Sequence, residues 1–255
     1  MSSSISTQDE LLSSAQQATG RCWRAVEAQH IISTAKLTDT AAEQRVLEES
    51  IEKSKPPVPP ECRHLNFLLS TPFRYGAPYP RGSRFRRAGF TPGVFYGAEN
   101  PDTAIAELCF SRLMFYYESP DTKWPPEAGE YTAFAVRYAT ERAIDLTKSP
   151  LNSRNAVWTH KTRYDGCQEL ADLARPAAIE VIKYSSVRDP KIQMNFALLT
   201  CRAFADTDPI ERQTWHIILG SNGVSALCEM PRLRLDFDRK AFSSDPRIDG
   251  MKWER

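Results

Sequence analysis

The chain has 255 residues, of which 41% are hydrophobic and 25% charged, with 33 basic and 32 acidic side chains and a formal net charge of +1. That length and composition describe a globular chain of one domain with an added segment, long enough to bury a sizeable core without disulfide or metal. The balanced charge argues against a dedicated nucleic-acid or membrane-surface protein, and no apolar run approaches the roughly 20 residues a membrane-spanning helix needs.

The N-terminal stretch MSSSISTQDELLSSAQQ has neither the basic n-region nor the apolar core of a secretory signal, so a cytoplasmic location is expected. Thr7 and Glu10 form a capping box that opens a helix, with Gly20 as its stop, and a short strand-like run follows from Cys22 to Val26. Thr40 and Glu43 form a second capping box, opening an acidic helix that runs to about Lys53. Pro56, Pro57, Pro59 and Pro60 then forbid helix and central strand. The expected organisation is residues 1–60 as an N-terminal helical segment with a Pro-rich connector, and residues 61–255 as the main domain.

From Cys62 onward strand-like and helix-like stretches alternate. Gly93–Gly97 reads as a short buried strand, and Asn100-Pro101-Asp102 starts a helix that continues through Phe115. Tyr131–Tyr138 is a strand, Tyr164–Ala174 a helix stopped before Pro176, and Ala178–Tyr184, Trp215–Gly220 and Leu233–Phe237 further strands. The pattern predicts an α+β fold with a mixed sheet. Neither GxGxxG nor GxxxxGK[ST] occurs, which argues against a Rossmann enzyme or a P-loop NTPase. The six cysteines are scattered, as are the four histidines, so the cysteines read as buried small hydrophobes and no metal site is expected.

Charge is even overall but not locally. Between Glu61 and Glu99 there is no acid and no lysine, yet Arg63, Arg74, Arg81, Arg84, Arg86 and Arg87 fall there. The planar guanidinium matches phosphate oxygens, so the run suggests a small anionic ligand; a solvated basic face, or pairing with acids from elsewhere in the fold, accounts for it equally. The interleaved Phe73, Tyr75, Tyr79, Phe85, Phe90, Phe95 and Tyr96 would also suit single-stranded RNA, although the neutral remainder of the chain disfavours direct nucleic-acid binding. Glu107 sits among Ala104, Ile105, Ala106 and Leu108, where a carboxylate is costly unless it is ion-paired or catalytic.

Phe73 to Glu107 (FRYGAPYPRGSRFRRAGFTPGVFYGAENPDTAIAE) resembles the start of the RES domain, in which an arginine precedes a G-x-R-[FW] segment, a tyrosine ends a strand and an xPxTAxxE helix supplies a glutamate. Tyr164–Arg175 (YDGCQELADLAR), Ser185-Ser186-Val187-Arg188-Asp189 and Asn195-Phe196-Ala197-Leu198 resemble later pieces of the same family, and the likeness covers roughly Leu65 to Leu235. The resemblance implies a toxin of a type II toxin–antitoxin pair that degrades NAD⁺, with a fold similar to ADP-ribosylating toxins. It also implies a cognate antitoxin with a helix-turn-helix DNA-binding region.

Carried over by motif, the catalytic residues expected are Glu107, Arg74, Tyr96 and Ser186. The second arginine falls on Arg84 by the G-x-R-F pattern, with Arg86 and Arg87 as rivals, and these three with Tyr75 and Asn195 are the expected ligand-binding residues. No tightly bound cofactor is expected: NAD⁺ is the substrate, with inorganic phosphate as a candidate co-substrate. Cleaving the nicotinamide–ribose bond passes through an oxocarbenium-like state and expels a leaving group that is already cationic, so the site must hold pyrophosphate and stabilise positive charge at the sugar. Phosphorolysis, hydrolysis and ADP-ribosylation of a protein target remain open, as do homo-oligomerisation and a non-catalytic role in binding a nucleotide or partner.

Overall fold

The computed structural model describes residues 8–28, 37–74 and 78–255. Thr7, the expected capping residue, and Tyr75, an expected ligand residue, lie outside the described residues.

The first helix, α1 (Gln8–Ser13), is brief, and the chain passes almost at once into strand β1 (Gln16–Glu27). This corrects the sequence reading in two ways. Gly20 does not stop a helix but lies within β1, where an added Cβ would stand 2.9 Å from the Tyr138 hydroxyl oxygen and would have to displace that side chain. The described part of residues 1–60 is also not a separate helical segment. β1 pairs antiparallel with β3 (Gly129–Asp145) from Gln16↔Ala143 to Glu27↔Tyr131, so the Pro-rich stretch divides no separate unit. The helix expected from Thr40 does form, as α2 (Ala41–Ser54), with both halves of the capping box made.

The remaining strands are β2 (Phe95–Ala98), β4 (Val181–Ser185), β5 (Met194–Leu198), β6 (Glu211–Gly220), β7 (Gly223–Cys228) and β8 (Leu233–Asp238). Their order is β1-β2-β5-β4-β3-β6-β7-β8, with β1 also pairing to β3. β3 and β4 are parallel and the other pairs antiparallel, which makes the sheet mixed and the fold α+β. The long β3 joins two halves: its first residues pair with β6 and its last three with β4. β1 crosses back to meet β2 at Trp23↔Ala98, so β1, β2, β5, β4 and β3 form a closed circuit of pairings.

Helix α3 (Pro101–Glu118) packs over this sheet. Asn100 caps it by accepting from the Thr103 N–H at 2.9 Å, and Pro101 and Asp102 occupy the first turn, where a fixed φ and a negative charge suit the helix start. Ile105, Cys109, Phe110, Leu113 and Tyr116 bury against Trp23, Trp215 and Ile217 of the sheet and against Phe242 and Trp253 near the C-terminus. Helix α4 (Asp165–Ala174) buries Cys167, Leu170 and Ala171 in a second cluster with Phe85, Trp158 and Ile182. All six cysteines are buried and unpaired. Among the described residues no helix is long and apolar enough to cross a membrane, and no three His, Cys, Asp or Glu side chains gather as a metal site.

Candidate active site

Tyr184 pairs with Asn195 across β4 and β5, and Asn195 with Ala98 across β5 and β2. Directly opposed residues share a sheet face, so Ala98, Asn195 and Tyr184 form one row and Tyr96, Ala197 and Ile182 the next. Ala98, Asn195, Tyr184 and Tyr96 line a cavity of about 390 Å³, together with Trp23 and Arg24 from β1, Ser83 and Arg84, Glu107 and Leu108 of α3, Tyr164, and Val187 and Arg188.

Glu107 is the only carboxylate among the lining residues, and its oxygens are held by three groups. Ser186 Oγ donates to Oε1 at 2.6 Å and Asn195 Nδ2 donates to the same oxygen at 2.7 Å. Arg188 Nη1 donates to Oε2 at 3.3 Å. Because a carboxylate only accepts, it also fixes which end of the Asn195 amide faces it. Arg188 is held in turn by the Tyr164 hydroxyl, 2.7 Å from its Nη2, and lies 4.7 Å over the Phe110 ring. Burial lowers the pKa of this guanidinium, but the charge of Glu107 together with Tyr164 and Tyr184 holds it above the ordinary value.

The spacing between α3 and the Ser186 turn is also held. Thr103 Oγ1 donates to buried Asp189 Oδ2 at 2.7 Å, and the Asp189 N–H donates to Ser186 Oγ at 3.0 Å. The helix start and the turn that presents Ser186 and Arg188 are thereby tied through one carboxylate.

The arginine-rich run is sorted by the fold. Arg84, 7% exposed, lines the cavity with its guanidinium over the Tyr164 ring and its Nη1 donating to the Trp158 carbonyl at 2.7 Å. Tyr96 holds this loop: its hydroxyl accepts from the Phe85 N–H at 2.9 Å and lies 2.8 Å from Ser83 Oγ, and burial pushes its pKa up to about 12. Arg74, Arg86 and Arg87 do not line the cavity. Arg74 pairs with Glu52 of α2 at 2.5 Å and donates to the Pro56 carbonyl. Arg86 bonds Thr91 and stacks on Tyr79, and Arg87 pairs with Asp172 of α4 at 2.6 Å. Much of the run therefore meets acids from elsewhere in the fold, as Arg81 also does with Glu118.

Arg24 was not singled out from the sequence. It lines the cavity from β1, with Nη1 on the Tyr96 carbonyl at 3.1 Å and its guanidinium over the Phe95 ring at 5.1 Å. In the sequence Arg188 stands out only as part of a turn, and Tyr164 and Tyr184 only as parts of elements. The available signal for Arg24 was a lone cation inside a strand-like run, Cys22 to Val26.

Three arginines and one carboxylate thus line a cavity of the size that takes small molecules, an arrangement suited to an anionic ligand carrying hydroxyls or a developing positive charge. This is a cationic pocket built around a fixed carboxylate. The chain belongs to the RES domain family, which matches residues 58–219. β1 and Arg24 precede the matched span. A solved structure similar in fold is described as the M. tuberculosis MbcT–MbcA toxin–antitoxin complex; the likeness covers 93% of this chain and 95% of that one at 9% identity, with a TM-score of 0.46. No curated protein sequence matches the chain significantly.

Proposed function

We propose that the chain is a RES-domain toxin that cleaves the nicotinamide–ribose bond of NAD⁺ and is neutralised by a cognate antitoxin. The observation that carries the reading is Glu107, held by Ser186, Asn195 and Arg188 on the wall of a cavity that also presents Arg24 and Arg84. In this reading Arg24 and Arg84 take the pyrophosphate oxygens, for which guanidinium groups are suited. Glu107 orients a ribose hydroxyl and stabilises the positive charge that develops on the sugar as nicotinamide departs. Ser186 and Asn195 both donate to Oε1, which leaves Oε2 as the less occupied oxygen for that work. Tyr96 acts indirectly, since its hydroxyl is committed to the loop that carries Arg84.

The nucleophile decides the product: water gives ADP-ribose, inorganic phosphate gives ADP-ribose-1″-phosphate, and a protein side chain gives a modified target. The test is to incubate the purified chain with NAD⁺, with and without phosphate, and to resolve the products by mass. Nicotinamide release supports the reading, and the accompanying product selects phosphorolysis or hydrolysis. Absence of nicotinamide under both conditions, and of label transferred from NAD⁺ to proteins of a cell extract, would refute it.

A further inference from the structure

Tyr184 lines the cavity and has no role in the reading above. The residue is 5% exposed and packs its ring edge-on against Phe85 with centroids 4.9 Å apart. Two neighbours on the same face bond within the protein: Asn195 Nδ2 donates to Glu107, leaving its Oδ1 without a partner among the described residues, and the Tyr96 hydroxyl accepts from the Phe85 N–H. The hydroxyls of the buried Tyr116, Tyr131, Tyr138 and Tyr184 have no hydrogen-bond partner among the described residues; of the four only Tyr184 lines the cavity, and its oxygen is not sealed from solvent. A phenol oxygen that reaches the cavity and is not used by the protein is free to bond a bound molecule. Nothing in the packing of the ring needs the oxygen.

We infer that the Tyr184 hydroxyl is a ligand contact, donating to a ribose hydroxyl that itself donates to Glu107. The inference rests on the NAD⁺ reading above and deepens it. Glu107 as a carboxylate can only accept, so a ribose hydroxyl bound to it gives up its proton in that bond and keeps its lone pairs for a donor. The arginines are suited to phosphate oxygens, which leaves a neutral donor for the sugar. Burial, and then the negative charge of Glu107, push the Tyr184 pKa well above its ordinary value, so the phenol stays a donor across the neutral and alkaline range. Tyr184 therefore acts as a specificity-determining residue that reads the sugar.

The test is Tyr184→Phe, which removes the oxygen and keeps the ring. Turnover is measured with NAD⁺ and with its analogues lacking the 2″- or the 3″-hydroxyl of the nicotinamide ribose, and thermal unfolding is followed in parallel. The expected result is a kcat/KM for NAD⁺ lowered about ten-fold, the loss of one hydrogen bond. For one of the two deoxy analogues the variant and the parent should be equal. Tm should be unchanged or higher, because the hydroxyl has no partner in the free protein. Equal kcat/KM for NAD⁺ in parent and variant would overturn the inference, as would a deficit that persists with both analogues, or a fall in Tm without a kinetic defect. If the parent itself turns over none of the three compounds, the NAD⁺ reading fails, and that result is distinct from a parent that is active and indifferent to Tyr184→Phe.

Discussion

Arg24→Gln and Arg74→Gln should separate function from stability. Arg24 lines the cavity, donates to the Tyr96 carbonyl at 3.1 Å, and has no carboxylate in contact among the described residues. A charge-assisted bond to a ligand phosphate is worth about 1.5–3 kcal/mol, so its loss should raise KM for NAD⁺ by roughly 10- to 100-fold. Arg74 is opposite in kind. Its side chain is 12% exposed, but its partner Glu52 is 55% exposed on α2, and neither touches the cavity. Breaking a pair with so much solvent around one member, together with the bond to the Pro56 carbonyl, should cost about 1–2 kcal/mol, or roughly 2–8 °C in Tm for a chain of this size. Steady-state kinetics with NAD⁺ and thermal unfolding of both variants read the two effects. Arg24→Gln should lose affinity with little change in Tm, and Arg74→Gln should lose Tm with KM intact. The reverse pattern would show that the anion site has been placed on the wrong arginine.

Other consequences of the geometry can be checked. Asn195→Asp puts a second carboxylate where an amide now donates to Glu107 at 2.7 Å, and two such groups cannot both ionise cheaply. A carboxyl whose folded pKa is raised loses stability as pH rises above its unfolded value, so the variant should unfold at lower temperature than the parent at pH 7 and approach it near pH 4; a constant difference would contradict this. Tyr96→Phe removes the acceptor of the Phe85 N–H and should lower stability by about 1–3 kcal/mol, with faster hydrogen exchange at Phe85 as the specific readout. Asp245 is buried, which alone would raise its pKa, but Arg247 at 2.7 Å holds it below the ordinary value. Its contribution is present above the unfolded pKa of about 3.9 and is lost as pH falls through the lower folded value. The parent should therefore lose more Tm than Asp245→Asn between pH 5 and pH 3, and equal losses would refute the pairing.

What could be read from the chain alone was mostly local. The Asn100–Thr103 cap, the Thr40–Glu43 capping box and the short strand ending in Tyr96 and Gly97 all rest on neighbours within a few residues, and each forms. Glu107 stood out because its sequence neighbours are apolar, and the structure holds it by three donors. What was not legible depends on distant partners. β1 finds its place through pairing with residues more than a hundred positions later, so periodicity gave only its most apolar part, Cys22–Val26, and the prolines after it suggested a boundary. Arg24 was passed over with that strand. Arg74 drew attention because the run around it lacks acids, but its partner Glu52 lies 22 residues earlier, on a helix assigned to another segment. Tyr184 looked like one of several strand aromatics, and only its place on the cavity wall sets its unpartnered hydroxyl apart from those of Tyr116, Tyr131 and Tyr138.

The measurement that tests the central claim most directly is nicotinamide release from NAD⁺ by the parent chain beside Glu107→Gln, with folding of both checked by thermal unfolding. The variant keeps the side-chain shape but removes the charge facing the sugar, and loss of one preorganised electrostatic contact of this kind lowers turnover by about 100- to 1,000-fold. The account predicts release by the parent and a deficit of that size in a folded variant. Parental rates in Glu107→Gln would contradict it.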